Sequence, residues 1–170
     1  MKHTISVLVE NHFGTFNRVV TLFSGKGFNV SSLSIGETET PDISRMTIVT
    51  SGDDKVIEQI VKQLNRLVDT IKVVDLSNQP RIERDLALIT VYYHRGTRNE
   101  IVNISNIFRG KVVDINNKTI TLEITGPPDK VEAVINVLEP YGIKEMARSG
   151  TVALKRGEQI KRTKPESLTI

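Results

Sequence analysis

Cysteine and tryptophan are both absent from this 170-residue chain. Without cysteine there is no disulfide, no thiolate zinc site and no cysteine nucleophile. Aromatic residues reach only 5%, which argues against a surface that stacks nucleic-acid bases. Long apolar runs are missing, so no segment is expected to cross a membrane. Lys2-His3-Thr4 leads straight into strand-like sequence. No signal or transit peptide is expected from it, and the expected location is cytoplasmic. The three histidines, His3, His12 and His94, show no metal-ligand spacing, and no metal site is expected. Neither a P-loop nor a G-x-G-x-x-G pattern occurs.

A surplus of one charge is missing as well. Lys and Arg number 23 against 20 Asp and Glu, a formal net charge of +3. Residues 1–78 are net −1 and residues 79–170 net +4, of which +3 lies in residues 155–170. The parts expected to fold are therefore near neutral, whereas a nucleic-acid binder more often carries a basic folded face. Apolar residues make up 38%, which suits two small cores better than one large one.

What the chain does have is a repeated order of periodicities. Ile5, Val7 and Val9 alternate with Ser6, Leu8 and Glu10, the period of a strand. After Asn11-His12-Phe13-Gly14, the residues Phe16, Val19, Val20 and Phe23 form one helical face, and Gly25 and Gly27 bracket its end. Val30–Glu37 and Ile43–Ser51 read as strands separated by a Pro41-containing turn. Asp53 is a helix N-cap candidate, ahead of a stripe of Ile57, Ile60, Val61, Leu64, Leu67 and Val68. Thr70–Leu76 is a further strand. Residues 79–85, starting at Gln79-Pro80, read as a linker.

The same order then begins again. Leu86–Tyr93 is a strand. Thr97 and Glu100 form a T-x-x-E capping box before Ile101, Ile104, Ile107 and Phe108. Lys111–Ile115 and Thr119–Thr125 are strands joined at Asn116-Asn117. Pro128-Asp129 opens a helix with Val131, Val134, Ile135 and Leu138 on one face, and Ile143–Ala147 is the last strand. From about Lys155 no periodicity is left, and a mobile end is expected. The order β-α-β-β-α-β defines a split βαβ unit. The expected class is therefore α+β, with two tandem ferredoxin-like βαββαβ domains. Each sheet has helices on one face only, and part of the other face is expected to be covered by another subunit.

Chemistry concentrates in the first strand-to-helix loop. Backbone N–H groups at a helix N-terminus suit a carboxylate or phosphate. Gly14, with no Cβ, either admits a ligand there or is simply a turn residue. Asn11 and Asn29 either hold turns or meet the charged ends of a ligand. Lys26-Gly27-Phe28-Asn29-Val30 partly matches an RNA-recognition motif but opens the second strand instead of the third. Glu10, Asp42, Asp53 and Asp54 are turn or edge carboxylates, and no catalytic set can be assigned from spacing.

Several separated stretches resemble one family. ISVLVENHFGTFNRVVTLFSGKGFNVSSLSI and SRMTIVTSGDDKVIEQIVKQLNRLVDTIKVVDL are similar to the regulatory small subunit of acetolactate synthase (acetohydroxyacid synthase). IERDLALITV, IFRGKVVDI and MARSGTVALKRGE carry the likeness to the end of the chain. The resemblance implies an effector-binding ACT domain at 1–78, a linker at 79–85, a C-terminal ferredoxin-like domain at 86–155 and a polar tail at 156–170. It implies a non-catalytic subunit that activates a catalytic large subunit and confers feedback inhibition by branched-chain amino acids, valine foremost. No cofactor is expected on this chain; thiamine diphosphate, magnesium and FAD are expected on the large subunit. A homodimer through the ACT domains is implied, with the effector between them. Its contacts would be Asn11, His12, Phe13, Gly14, Thr15 and Phe16 of one copy and Asn29, Val30 and Ser31 of the other. His12-Phe13 departs most from the small polar residues usual there. Two other functions fit the residues less closely: a stand-alone ACT-type amino-acid sensor acting on another partner, and an RNA-binding pair of split βαβ modules.

Overall fold

The computed structural model describes residues 1–157. The first half runs β1 (Lys2–Glu10), α1 (Thr15–Lys26), β2 (Val30–Glu37), β3 (Ile43–Ser51), α2 (Asp54–Leu64) and β4 (Thr70–Asp75). The second runs β5 (Arg81–Tyr92), α3 (Arg98–Ile107), β6 (Lys111–Ile115), β7 (Thr119–Gly126), α4 (Pro128–Leu138), β8 (Ile143–Arg148) and β9 (Val152–Lys155). The fold is α+β, with two tandem ferredoxin-like units. Their sheets have the orders β2-β3-β1-β4 and β6-β7-β5-β8, with β9 added to β5. Neighbouring strands are antiparallel throughout.

Period-2 alternation decides which face of each sheet meets the helices. Ile5, Val7 and Val9 of β1 pack with Met46 and Ile48 of β3 under Val19, Phe23, Ile57, Ile60 and Leu64. In the second half Ala87, Ile89, Val91, Ile120, Leu122 and Ile124 meet Ile101, Val131, Val134 and Leu138. Each half thus has its own core. The Asp53 carboxylate accepts from the Val56 N–H at 2.9 Å, capping α2, and Gly27 ends α1 in the left-handed region at φ 68°.

The other face of the first sheet departs from expectation. Its positions are Thr4, Ser6, Ser32, Ser34 and Thr47, and the cover comes from the same chain. Arg81–Arg84 pairs with Val152–Lys155, forming a two-stranded ribbon that lies across this face. Ser32 Oγ accepts from the Thr151 N–H at 2.9 Å, and Ser34 Oγ donates to the Thr151 carbonyl at 2.7 Å. Thr47 Oγ1 accepts from the Ala153 N–H at 3.3 Å. Thr4 Oγ1 donates to Glu83 at 2.7 Å. Thr4, Ser6, Thr47, Thr151 and Ala153 are buried. The seam between the halves is therefore a row of hydroxyls that satisfies backbone groups of a short edge strand.

The same ribbon corrects the linker assigned to residues 79–85. From Arg81 onward the chain is strand, because the ladder needs backbone groups and not apolar side chains. Two of its charges are paired locally: Arg81 Nε donates to Glu83 at 2.6 Å. At the junction, Arg148 bridges the buried Asp85 and Glu132. Burial alone would lower the Arg148 guanidinium's pKa, but its bonds to Asp85 and Glu132 outweigh that and raise it.

Smaller departures have equally local causes. Gly25 lies inside α1, and only Gly27 ends it. The α2 helix stops at Leu64, so Leu67 and Val68 fall in the following turn, where Val68 is exposed. The capping box is not made. Thr97 Oγ1 accepts from the His94 N–H at 3.1 Å, and Glu100 accepts from the Tyr141 hydroxyl at 3.3 Å. Ile107 is exposed on α3. The tail expected at 156–170 lies, from residue 158 on, outside the described residues.

Candidate functional site

The loop that links β1 to α1 is held at several backbone points. The Glu10 N–H donates to the Asp69 carbonyl at 2.9 Å, and the Asn11 N–H donates to the Asp42 carbonyl at 2.7 Å. The Thr15 N–H donates to the His12 carbonyl at 3.2 Å, and the Arg18 N–H donates to the Gly14 carbonyl at 3.0 Å, starting the helix. Gly14 is the N-cap, at φ 91° and ψ −12°, and contributes no side-chain cap. The N–H groups of Phe16 and Asn17 belong to the first turn and have no acceptor within the helix.

A hollow of about 110 Å³ opens beside this helix start. Of the effector contacts that the family resemblance implies, Asn11, His12, Gly14, Thr15 and Phe16 line it. Phe13 does not; its ring points into solvent. The remaining wall comes from residues that the sequence reading did not single out: Val9, Glu10, Asn17, Ile35, Ser44 and Met46. Ile35 and Met46 are register partners across β2 and β3. Their place on the helix-facing side of the sheet was available from strand alternation; their closeness to the loop was not.

Thr15 is the unusual member. Its residue is 4% exposed, and its Oγ1 is buried with no hydrogen-bond partner. An orphaned hydroxyl in the first turn, next to free helix N–H groups, is a donor waiting for an acceptor. The surroundings are mixed in charge. Glu10 and His12 approach to 3.2 Å, and Arg18 pairs with the nearly buried Asp69 at 2.7 Å. The Asn11 amide donates to Glu37 at 3.2 Å, tying the loop to the end of β2.

Asn29, Val30 and Ser31 are not brought to this hollow within one chain. The Asn29 carbonyl accepts from Thr50 Oγ1 at 2.5 Å, which anchors the start of β2. Val30 lines a separate apolar hollow of about 210 Å³ between α1 and β2, and Ser31 lines the cleft between the halves. β2 is an edge strand. Beside it Phe16, Val20, Val30 and Ile35 are each more than a third exposed. Among the described residues no cluster of three or more His, Asp or Glu side chains is placed to hold a metal ion. Among them too, no helix is long and apolar enough to cross a membrane.

The chain has counterparts among known proteins. Residues 5–72 match the family model described as the AHAS small subunit-like ACT domain, and residues 84–157 match that of the small subunit of acetolactate synthase. The acetolactate synthase small subunit of Aquifex aeolicus is 54% identical over 166 residues, covering 97% of this chain and 86% of that protein. That of Mycolicibacterium smegmatis is 51% identical over 155 residues, 91% of each chain. The crystal structure of the small subunit from Thermotoga maritima superposes with a TM-score of 0.84 at 43% identity, covering 93% of this chain and 99% of that one.

Proposed function

The chain belongs to the acetolactate synthase small-subunit family, and from that premise we propose that it binds a branched-chain amino acid, valine first, and regulates a catalytic large subunit. In this reading the chain activates the large subunit and, with valine bound, confers feedback inhibition on valine, leucine and isoleucine biosynthesis. It has no catalytic centre of its own. Thiamine diphosphate, magnesium and FAD belong to the large subunit.

The observation that carries the reading is the unpartnered Thr15 Oγ1 at the α1 N-terminus. A valine carboxylate fits there, accepting from Thr15 and from the first-turn N–H groups. Ile35 and Met46 offer the apolar wall for its side chain. The exposed apolar residues along the β2 edge support a homodimer through the first halves. In that dimer Asn29, Val30 and Ser31 of the second copy complete the contacts begun by Asn11–Phe16. Valine inhibits only if it favours a state in which the large subunit is activated less well.

Thr15→Val is the direct test, because it removes the hydroxyl and keeps the shape. A hydroxyl without a partner adds nothing to the fold, so the melting temperature should hold or rise. Calorimetry on the variant should show valine affinity lowered by about tenfold or more, the value of a hydrogen bond to a charged group. Unchanged affinity would remove Thr15 from the site. Absence of valine binding by the unmodified protein, alone and with its large subunit, would end the reading.

A further inference from the structure

Next to the β2 edge lies a second and larger groove, of about 520 Å³. One wall is the β2–β3 hairpin, with Ile35, Glu37, Glu39 and Arg45. The other is the outward face of the β5–β9 ribbon. Thr151 and Ala153 turn onto the first sheet and are buried. Val152 and Leu154 alternate with them and therefore face out. The register sets Arg84 opposite Val152 and Ile82 opposite Leu154. Ile35, Ile82, Val152 and Leu154 are 48%, 44%, 53% and 55% exposed. An apolar cluster rimmed by charge marks an interaction surface.

The charges indicate which partner. Arg45 donates to Ser6 Oγ at 3.0 Å and Arg84 to the Glu83 carbonyl at 2.7 Å. Neither meets a carboxylate among the described residues. Glu37 accepts from the Asn11 amide, and neither it nor Glu39 meets a cation among those residues. The groove therefore presents both signs unpaired. An acidic peptide would satisfy the arginines and oppose the glutamates; a basic one would do the reverse. A twofold axis satisfies both, because the same surface then supplies the opposite sign to each group. The groove's wall is also the strand whose backbone edge lies open.

We propose that this groove is closed by the same groove of a second copy, so that the β5–β9 ribbon adds a second layer to the homodimer contact. This rests on the dimer of the preceding subsection and extends it into the second half of the chain. Regulation by dimer geometry would then act on both halves together.

Sedimentation equilibrium on the full chain tests it. Leu154→Glu alters a half-exposed side chain at the molecule's surface, and circular dichroism checks the fold. The dimer dissociation constant should rise by roughly a hundredfold, because the axis introduces the change twice. A second test does not depend on Leu154. One protein carries Arg45→Glu and Arg84→Glu, and another carries Glu37→Lys and Glu39→Lys. Each should dimerise poorly alone, and the two mixed should form a heterodimer. If Leu154→Glu leaves the constant unchanged while Ile35→Glu raises it, the edge dimer stands and the ribbon contact is overturned. If the unmodified chain is monomeric at every concentration, both fall. A Leu154→Glu protein that still dimerises but no longer activates the large subunit assigns the groove to that subunit and overturns the proposal. Failure of the charge-swapped pair to associate also overturns it.

Discussion

Gly14 stands at φ 91°, and a Cβ built there would meet nothing within 4 Å. Backbone conformation, not crowding in the single chain, is therefore what requires glycine at this position. Any ordinary L residue is strained there by about 1–2 kcal/mol, whereas Asn and Asp adopt the left-handed region at lower cost. That pair isolates charge from strain. Gly14→Asn and Gly14→Asp should lose similar, small amounts of stability in urea. Valine titrations should separate them, because Asp sets a negative charge against the effector carboxylate. At about 4 Å the repulsion is about 1 kcal/mol in water and several-fold more at a partly buried site, a tenfold or greater loss of affinity relative to Asn. Equal inhibition curves for the two variants would move the carboxylate away from Gly14. Legibility at this scale was uneven. Gly14 stood out by its place between a strand and a helix, whereas Thr15 was named only through the family resemblance. Nothing in the composition distinguishes Ile35 or Met46 from other core residues, because what selects them is the register of β2 on β3. Phe13 was counted as a contact only through the family resemblance, and within one chain its ring is exposed and lies outside the hollow.

Among elements, periodicity located the helices and all the strands except the ribbon. The two core stripes alternate cleanly, which is why they could be read. Arg81–Arg84 has the composition of a linker, and β9 has only four residues. The buried inward pair, Thr151 and Ala153, gives no apolar signal. The partner positions Ser32, Ser34 and Thr47 give no apolar signal either, and the expected cover for part of that face was another subunit, not a ribbon of the same chain. A polar seam behaves differently from an apolar one. In Ser32→Ala combined with Thr47→Val the N–H groups of Thr151 and Ala153 lose their acceptors, at a cost of about 1–3 kcal/mol each if they stay dry. The ribbon should respond by opening locally. Hydrogen exchange is expected to quicken at Thr151 and Ala153 while Ile89 and Leu122, in the second core, remain slow. Uniform acceleration across both halves would mean that the seam holds the whole molecule together and that the two cores do not stand alone.

For the whole molecule, a site shared between copies ties valine binding to assembly. If each effector contacts Asn11–Phe16 of one chain and Asn29–Ser31 of the other, the monomer offers only half a site. Within one chain Val30 and Ser31 line hollows other than the one lined by Asn11, His12, Gly14, Thr15 and Phe16. A ligand that binds the dimer and not the monomer stabilises the dimer by mass action, in proportion to 1 + [L]/Kd for each site. With two equivalent sites and valine at one hundred times its dissociation constant, the dimer constant should tighten by about ten-thousandfold, or about 5.5 kcal/mol. Sedimentation over a dilution series, with and without valine, measures this directly. At equal valine the effect should shrink with Thr15→Val by about the square of the factor that calorimetry assigns to its affinity loss, because both sites carry the change. Apolar amino acids that bind more weakly should shift the dimer less at equal concentration, in the order of their affinities. A dimer constant indifferent to saturating valine would place the whole effector site within one chain. The start of β2 would then be no part of it, and the regulatory signal would have to leave through α1 and the loop alone.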